Sequence, residues 1–215
     1  MKTHSIKFNF IMNALLTISS VIFPIITFPY ISRVLGVSGS GNVAAAISTI
    51  SYFTMFASLG VPTYGIRACA KVRDDKEKLS QTVQELIIIN AVTTAVVYLA
   101  FFISLAVVPK FNAQKELLIV VSISILLNTM GIQWLYNALE QYSYITLCSL
   151  GFKFLGMVLM FAMIHSPDDY LKYGAISALS SYGSGILNFV NMRKYVSLKK
   201  NGMYDFRRHF KPLFT

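Results

Sequence analysis

The chain has 215 residues, of which 55% are hydrophobic and only 13% charged, with a net charge of +10 and a mean hydropathy of +0.59. Soluble domains carry about a quarter of their residues as charges, so this composition excludes an ordinary globular enzyme domain. The charges are also bunched: none occurs in Phe8–Ser32, Val34–Ile66, Leu86–Pro109, Leu117–Leu139 or Tyr173–Met192, and Gln141–Pro167 contains only Lys153.

A spanning helix needs about 20 predominantly apolar residues. Six spans therefore fit, at about 8–32, 42–62, 85–108, 117–139, 146–165 and 173–192, followed by a basic tail at 193–215. The expected fold is an all-α integral membrane protein whose residues 1–215 form one six-helix lobe. The positive charge could suggest a nucleic-acid partner, but its placement argues against one. With the N-terminus inside, 14 Lys and Arg lie on the inner side and 4 on the outer, leaving Lys153 within a span. That asymmetry is the positive-inside pattern and puts both ends of the chain in the cytoplasm, with the remaining attraction directed to anionic lipid. The first apolar run is too long for a signal peptide and lacks a small-x-small cleavage site. Cys69 and Cys148 cannot make a disulfide framework and read as reduced thiols.

Span one carries Pro24 and Pro29, which a membrane helix tolerates where neighbouring helices or a wet cavity satisfy the freed carbonyls. Asn9, Asn13, Thr17, Ser20, Pro24 and Thr27 recur at a mean of 3.6 residues and so form one polar stripe. The stripe fits either a cavity wall or a helix–helix seam. Arg33, where the charge-free run ends, fits either the mouth of a pathway or an interfacial anchor that snorkels. A short outer turn is expected at Gly36–Gly41. Span two ends or kinks at Leu59-Gly60-Val61-Pro62, and Arg67 lies close enough to the membrane to face a cavity. The connection Arg67–Gln84 reads as a solvated, helix-forming segment.

Span three reads as lipid-facing, with Glu85 and Asn90 as exceptions at its inner end. Span four closes with Trp134 and Tyr136, which suit an interfacial aromatic belt. Lys153 in span five costs about 2.5–3.5 kcal/mol at a helix centre, so it either snorkels or lines a cavity. Span six carries a second stripe, Ser177, Ser181, Ser184, Asn188 and Asn191, and the two stripes could meet across one wet interior. In the tail, aromatic and basic residues interleave beside the last span, which reads as a segment lying on anionic headgroups. Pro212-Leu213-Phe214-Thr215 reads as the first turn of a further apolar helix, so the expectation is a chain that stops short of a seventh span.

No Gly-Lys dipeptide, His-Glu-x-x-His, Cys-x-x-Cys or Gly-x-Ser-x-Gly occurs, so no P-loop, zinc-protease, redox or esterase chemistry is expected and no cofactor is called for. Phe28-Pro29-Tyr30-Ile31-Ser32-Arg33-Val34-Leu35-Gly36, with Gly41-Asn42, Ser51-Tyr52-Phe53, Ala57-Ser58-Leu59-Gly60 and Tyr64-Gly65-Ile66-Arg67, resembles Wzx-type polysaccharide flippases of the multidrug/oligosaccharidyl-lipid/polysaccharide exporter superfamily. Trp134-Leu135-Tyr136-Asn137-Ala138-Leu139-Glu140-Gln141-Tyr142 is similar to the segment closing that family's fourth span. The resemblance covers the chain as the first six spans of a protein of twelve or more. It implies two lobes around a cationic cavity in the bacterial cytoplasmic membrane. It also implies a cargo of undecaprenyl-diphosphate-linked oligosaccharide, flipped by alternating access against a missing C-terminal lobe. On that reading Arg33, Arg67 and Lys153 hold the diphosphate, while Asn9, Asn13, Thr17, Ser177, Ser181, Ser184 and Asn188 meet the sugars. The alternatives are a drug or cation antiporter of the same superfamily, which would favour a central acid that none of Glu85, Glu116 and Glu140 supplies, or a non-transporting truncated remnant.

Overall fold

The computed structural model describes residues 5–199 and 204–213. Ten α-helices follow one another: α1 (Ile6–Ser58), α2 (Val61–Lys71), α3 (Lys76–Val107), α4 (Pro109–Ala113), α5 (Lys115–Gly131), α6 (Gln133–Ala138), α7 (Tyr142–Met163), α8 (Tyr170–Tyr182), α9 (Ser184–Asn191) and α10 (Arg207–Leu213). No strand occurs among the described residues. Four helical stretches, Lys7–Lys71, Lys76–Val107, Lys115–Ala138 and Tyr142–Met163, are long and apolar enough to cross a membrane. The chain is thus an all-α membrane protein, as its hydropathy requires.

The 53-residue helix α1 is not one rod, because Gly36 interrupts it at φ 69° and ψ 176°, a backbone conformation essentially restricted to glycine. Contacts on either side show that the chain reverses there. Thr146 Oγ1 donates to Met12 O and Tyr30 O–H donates to Ile164 O, so residues 6–35 run alongside α7 in the same direction. α7 and the α8–α9 leg oppose each other, with Ser149 against Ser184 and Tyr144 O–H donating to Leu187 O. Pro167 O lies against Gly39, while Ser177 and Ser181 border the same small gap as Ile47 and Ser51. Residues 37–58 therefore run with α8 and against residues 6–35. Thr93 Oγ1 donates to Ala57 O and Phe53 packs edge-on against Phe101, which sets α3 against the returning arm. Tyr98 O–H donates to Ser122 O, and Thr94 meets Thr129, which sets α5 against α3. Six helical legs alternate in direction.

One end of this bundle gathers Lys7, Arg67, Arg73 and Lys194, and is called the basic end below. Three apolar cores hold the legs together. One at the basic end packs Val61, Leu79, Leu86, Trp134 and Leu135. A second joins Val43, Ile50, Phe101, Leu118 and Ile125, and the third joins Ile31, Leu35, Met160 and Ile164. Outward faces stay apolar and exposed, among them Phe10, Ile25, Phe28, Val96 and Phe102, as a lipid-facing surface requires.

Several sequence expectations change against this architecture. The outer turn expected over Gly36–Gly41 collapses to Gly36 alone, and helix resumes at once. The helix continues through both prolines of span one. Leu59 and Gly60 do break the second leg, both in the left-handed region. The connection after Arg67 is solvated in its first part, with Arg67, Lys71, Arg73, Asp74, Lys76, Glu77 and Lys78 exposed, but α3 starts within it at Lys76, capped by Asp75 accepting from the Glu77 and Lys78 amides, and buries Leu79, Ser80, Thr82, Val83 and Gln84. Trp134 and Tyr136 are not belt residues: both are buried, and Tyr136 O–H donates to Asn188 O. Ile132, at φ 39°, breaks span four, and a junction at Gly183 divides span six.

Candidate functional site: a cationic cleft at the basic end

The site is built on one buried carboxylate. Glu85 sits two and a half turns into α3, with its side chain fully buried. An isolated ionised carboxylate there would be strongly disfavoured, so it must be paired and hydrogen-bonded. Its partners come from the distant tail. Arg208 donates to Glu85 Oε2 from Nε (2.9 Å) and Nη2 (2.6 Å), and His209 Nε2 lies 2.6 Å from the same oxygen. The Asp205 amide and Gln81 Nε2 donate to Oε1 at 2.9 and 3.0 Å. On its other side His209 Nδ1 lies 2.8 Å from Tyr64 Oη of α2. A neutral imidazole satisfies both neighbours, donating from Nε2 and accepting the tyrosine proton at Nδ1.

Further bonds seat the tail along α3. Gln84 Nε2 donates to Ser197 O at 2.6 Å, Tyr204 O–H donates to Gln84 Oε1 at 2.9 Å, and the Ser197 amide donates to Ser80 Oγ at 3.0 Å. The segment around 204–213 is therefore docked on protein, against α2 and α3. Residues 200–203 fall outside the described residues, as do the last two of the Pro212–Thr215 turn.

Docking α10 beside α2 leaves a cleft of about 600 Å³ between them. Its walls carry Thr63, Tyr64, Arg67, Lys71, Thr82 and Arg208, and no carboxylate among the described residues lines it. Arg67 and Lys71 are one turn apart on the same face of α2, where like charges repel. Neither takes part in any ion pair found among the described residues. α2 can lie this close to α6 because residue 65 is glycine; a Cβ there would come within 2.8 Å of Trp134. The arrangement offers fixed positive charge at an opening of the basic end, suited to an anion.

The residues singled out from sequence separate into different places. Arg67 lines the cleft. Lys153 sits mid-bundle and ties α7 to α1, donating to Ser19 Oγ at 2.8 Å and Leu16 O at 3.4 Å. Arg33 is exposed near Gly36, at the end opposite the basic one. The three cations thus stand at three heights and do not converge. On the first stripe, Asn9 and Thr27 are buried, while Asn13, Thr17, Ser20 and Pro24 are exposed along one flank of α1. On the second, Ser177 and Ser181 border a gap of about 40 Å³ with Ser51 and Thr54, and Ser184 meets Ser149. Asn188 is buried and donates to Gly131 O at 2.9 Å, holding α9 to the end of α5. Sequence reasoning missed Lys71, Arg208 and His209. The available signal was Glu85 itself, an acid at the edge of a long apolar run that needs a cation from elsewhere.

Comparison with known proteins places this geometry in context. The family described as polysaccharide biosynthesis protein matches residues 6–215. The "Putative O-antigen transporter" of Escherichia coli (strain K12) is 25% identical over 184 residues, covering 85% of this chain and 44% of that protein. The protein of the same description from Shigella dysenteriae is 21% identical over 188 residues, covering 87% of this chain and 47% of its own length. The chain thus spans about half the length of the curated relatives it matches. No solved structure matches.

Proposed function

Because the chain belongs to the polysaccharide biosynthesis protein family, we propose that its helical bundle is one lobe of a transporter that flips undecaprenyl-diphosphate-linked oligosaccharide repeat units across the bacterial cytoplasmic membrane. The basic end then faces the cytoplasm, in keeping with the positive-inside bias. Alternating access needs a second lobe to rock against, so the partners are that lobe, the surrounding lipid and the lipid-linked cargo, with no nucleic acid and no cofactor.

The observation that carries this reading is the kinship with two proteins each described as "Putative O-antigen transporter". The chemistry is compatible with it. A diphosphate needs fixed cations, which Arg67 offers at the basic end and Lys153 and Arg33 offer higher in the bundle. Exposed hydroxyls and amides of α1, with Ser177 and Ser181, suit a sugar. An antiporter of the same superfamily would need a carboxylate free to exchange a cation, and the deeply buried acid here, Glu85, is already paired with Arg208 and His209.

The test is charge reversal at the native locus. Arg67→Glu, Lys153→Glu and Arg33→Glu, each confirmed to reach the membrane, should deplete surface polymer and leave lipid-linked repeat units accumulated inside. Arg33→Lys should retain part of the export if a point charge suffices and lose most of it if the guanidinium fork is needed. Normal export in all three reversals refutes the cationic-cavity mechanism and leaves these residues as anchors at the membrane surface; export that persists when the gene is deleted refutes the flippase reading itself.

A further inference from the structure

We infer that the cleft between α2 and α10 is a diphosphate-binding site, in which Arg208, delivered by the tail, completes a cation set begun by Arg67 and Lys71. The inference deepens the transporter reading and rests on it for the identity of the natural ligand. Three observations carry it. First, three cations border one opening of about 600 Å³ that no acid among the described residues lines. Second, the two on α2 stand one turn apart with no counter-ion among the described residues, a like-charge spacing that costs stability unless an anion occupies it. The helix C-terminal dipole accounts for Lys71 in the last turn of α2, but not for Arg67 and Arg208 converging with it. Third, the buried Glu85 holds Arg208 by Nε and Nη2 together, fixing the plane of the guanidinium at the cleft wall.

Charge bookkeeping names the ligand class. Arg67, Lys71 and Arg208 against Glu85 leave two net positive charges. A diphosphate diester carries two negative charges at neutral pH, whereas a phosphodiester headgroup carries one. Thr63 and Thr82, also on the wall, add hydroxyl donors for the remaining phosphate oxygens. The site lies at the basic end, where a lipid-borne diphosphate sits at the level of the headgroups. It is therefore a loading position, separate in height from Lys153 and Arg33.

The experiment uses the full chain in zwitterionic phosphatidylcholine nanodiscs, with pyrophosphate as probe, read by calorimetry. Saturable binding, tighter than that of orthophosphate, is expected. Arg67→Gln and Lys71→Gln should each weaken it about tenfold or more, the loss of one charge-assisted contact. Both side chains lie at the surface, and unchanged Trp134 fluorescence certifies that each variant is folded. Lys110→Gln, on a basic residue at the opposite end of the bundle, should bind as the parent does. Absence of saturable binding, or equal weakening by Lys110→Gln, overturns the site. Discs containing phosphatidylglycerol separate the two sources of phosphate. Retained pyrophosphate binding supports the diphosphate assignment, and its displacement by the anionic lipid overturns that assignment in favour of a headgroup phosphate. Arg67 is common to both tests, whereas Lys153 and Arg33 lie outside the site, so loss of the site leaves charge reversal at Lys153 and Arg33 to test transport alone.

Discussion

Replacing Glu85 by glutamine keeps the shape of the buried side chain and removes its charge. In the parent protein its two oxygens receive Arg208 twice, His209, the Asp205 amide and Gln81. Glutamine retains one acceptor oxygen and turns the other into a donor facing the donors of Arg208 and His209. Breaking a buried ion pair costs about 3–5 kcal/mol. Arg208 is 40% exposed and regains water once released, so we reduce this to about 2–3 kcal/mol, allowing for solvent screening. At ~1.4 kcal/mol per factor of ten, the equilibrium constant for docking the tail should fall by roughly 30- to 140-fold. Hydrogen–deuterium exchange read by mass spectrometry on peptides covering 204–213 measures this directly. Exchange there should accelerate by that factor, with α5 and α7 unchanged. Equal protection of 204–213 in parent and Glu85→Gln chains would show that the ionic cluster does not hold the tail.

Single cysteines at Ser40, Asn112 and Ser166 should label with an impermeant reagent added outside sealed cells, and those at Lys76 and Lys199 should not; labelling at Lys76 reverses the orientation. Asn188→Ala should lower stability by about 0.5–1.5 kcal/mol, because it removes the bond from a buried side chain to Gly131 O, whereas exposed Asn13→Ala should stay within about 0.5 kcal/mol; denaturant titration distinguishes a packing seam from an open stripe. Asp169 accepts from Lys172 and from the His165 and Ser166 amides, and these donors, Lys172 foremost, hold its carboxyl below the usual range. Its contribution is therefore complete above the unfolded carboxylate pKa of about 4 and fades as pH falls through the lower folded value. Asp169→Asn should flatten that acid limb of the stability profile and leave the neutral region unchanged in slope.

The neutral runs between charge clusters were enough to read an all-helical membrane protein from sequence, because burial in lipid forces every backbone group into local hydrogen bonds. Local chemistry also announced the break at Leu59-Gly60. The reversal at Gly36 was harder to place: three glycines lie within Gly36–Gly41, and only backbone geometry shows that one of them does the work while Gly39 and Gly41 stay helical. Aromatic residues mislead in the same way. Trp134 and Tyr136 have the amphipathic character of belt residues, but a polar handle serves a buried partner equally well, here the Asn188 carbonyl. The cleft was the least legible part. Arg67 could be singled out by its proximity to a span, whereas Arg208 and His209 reach Glu85 across 123 and 124 residues. No periodicity or local motif encodes a pairing of that reach.

That separation sets an order of events during synthesis. A ribosome adding about 5–20 residues per second needs on the order of ten seconds to travel from Glu85 to His209. Throughout that interval the nascent chain carries a carboxylate whose basic partners have not yet been made. The acid must stay hydrated at the surface until the tail emerges, which delays the burial of the first turns of α3. Closure of the basic end around Glu85 thus becomes a late step in biogenesis, set by the arrival of Arg208 and His209.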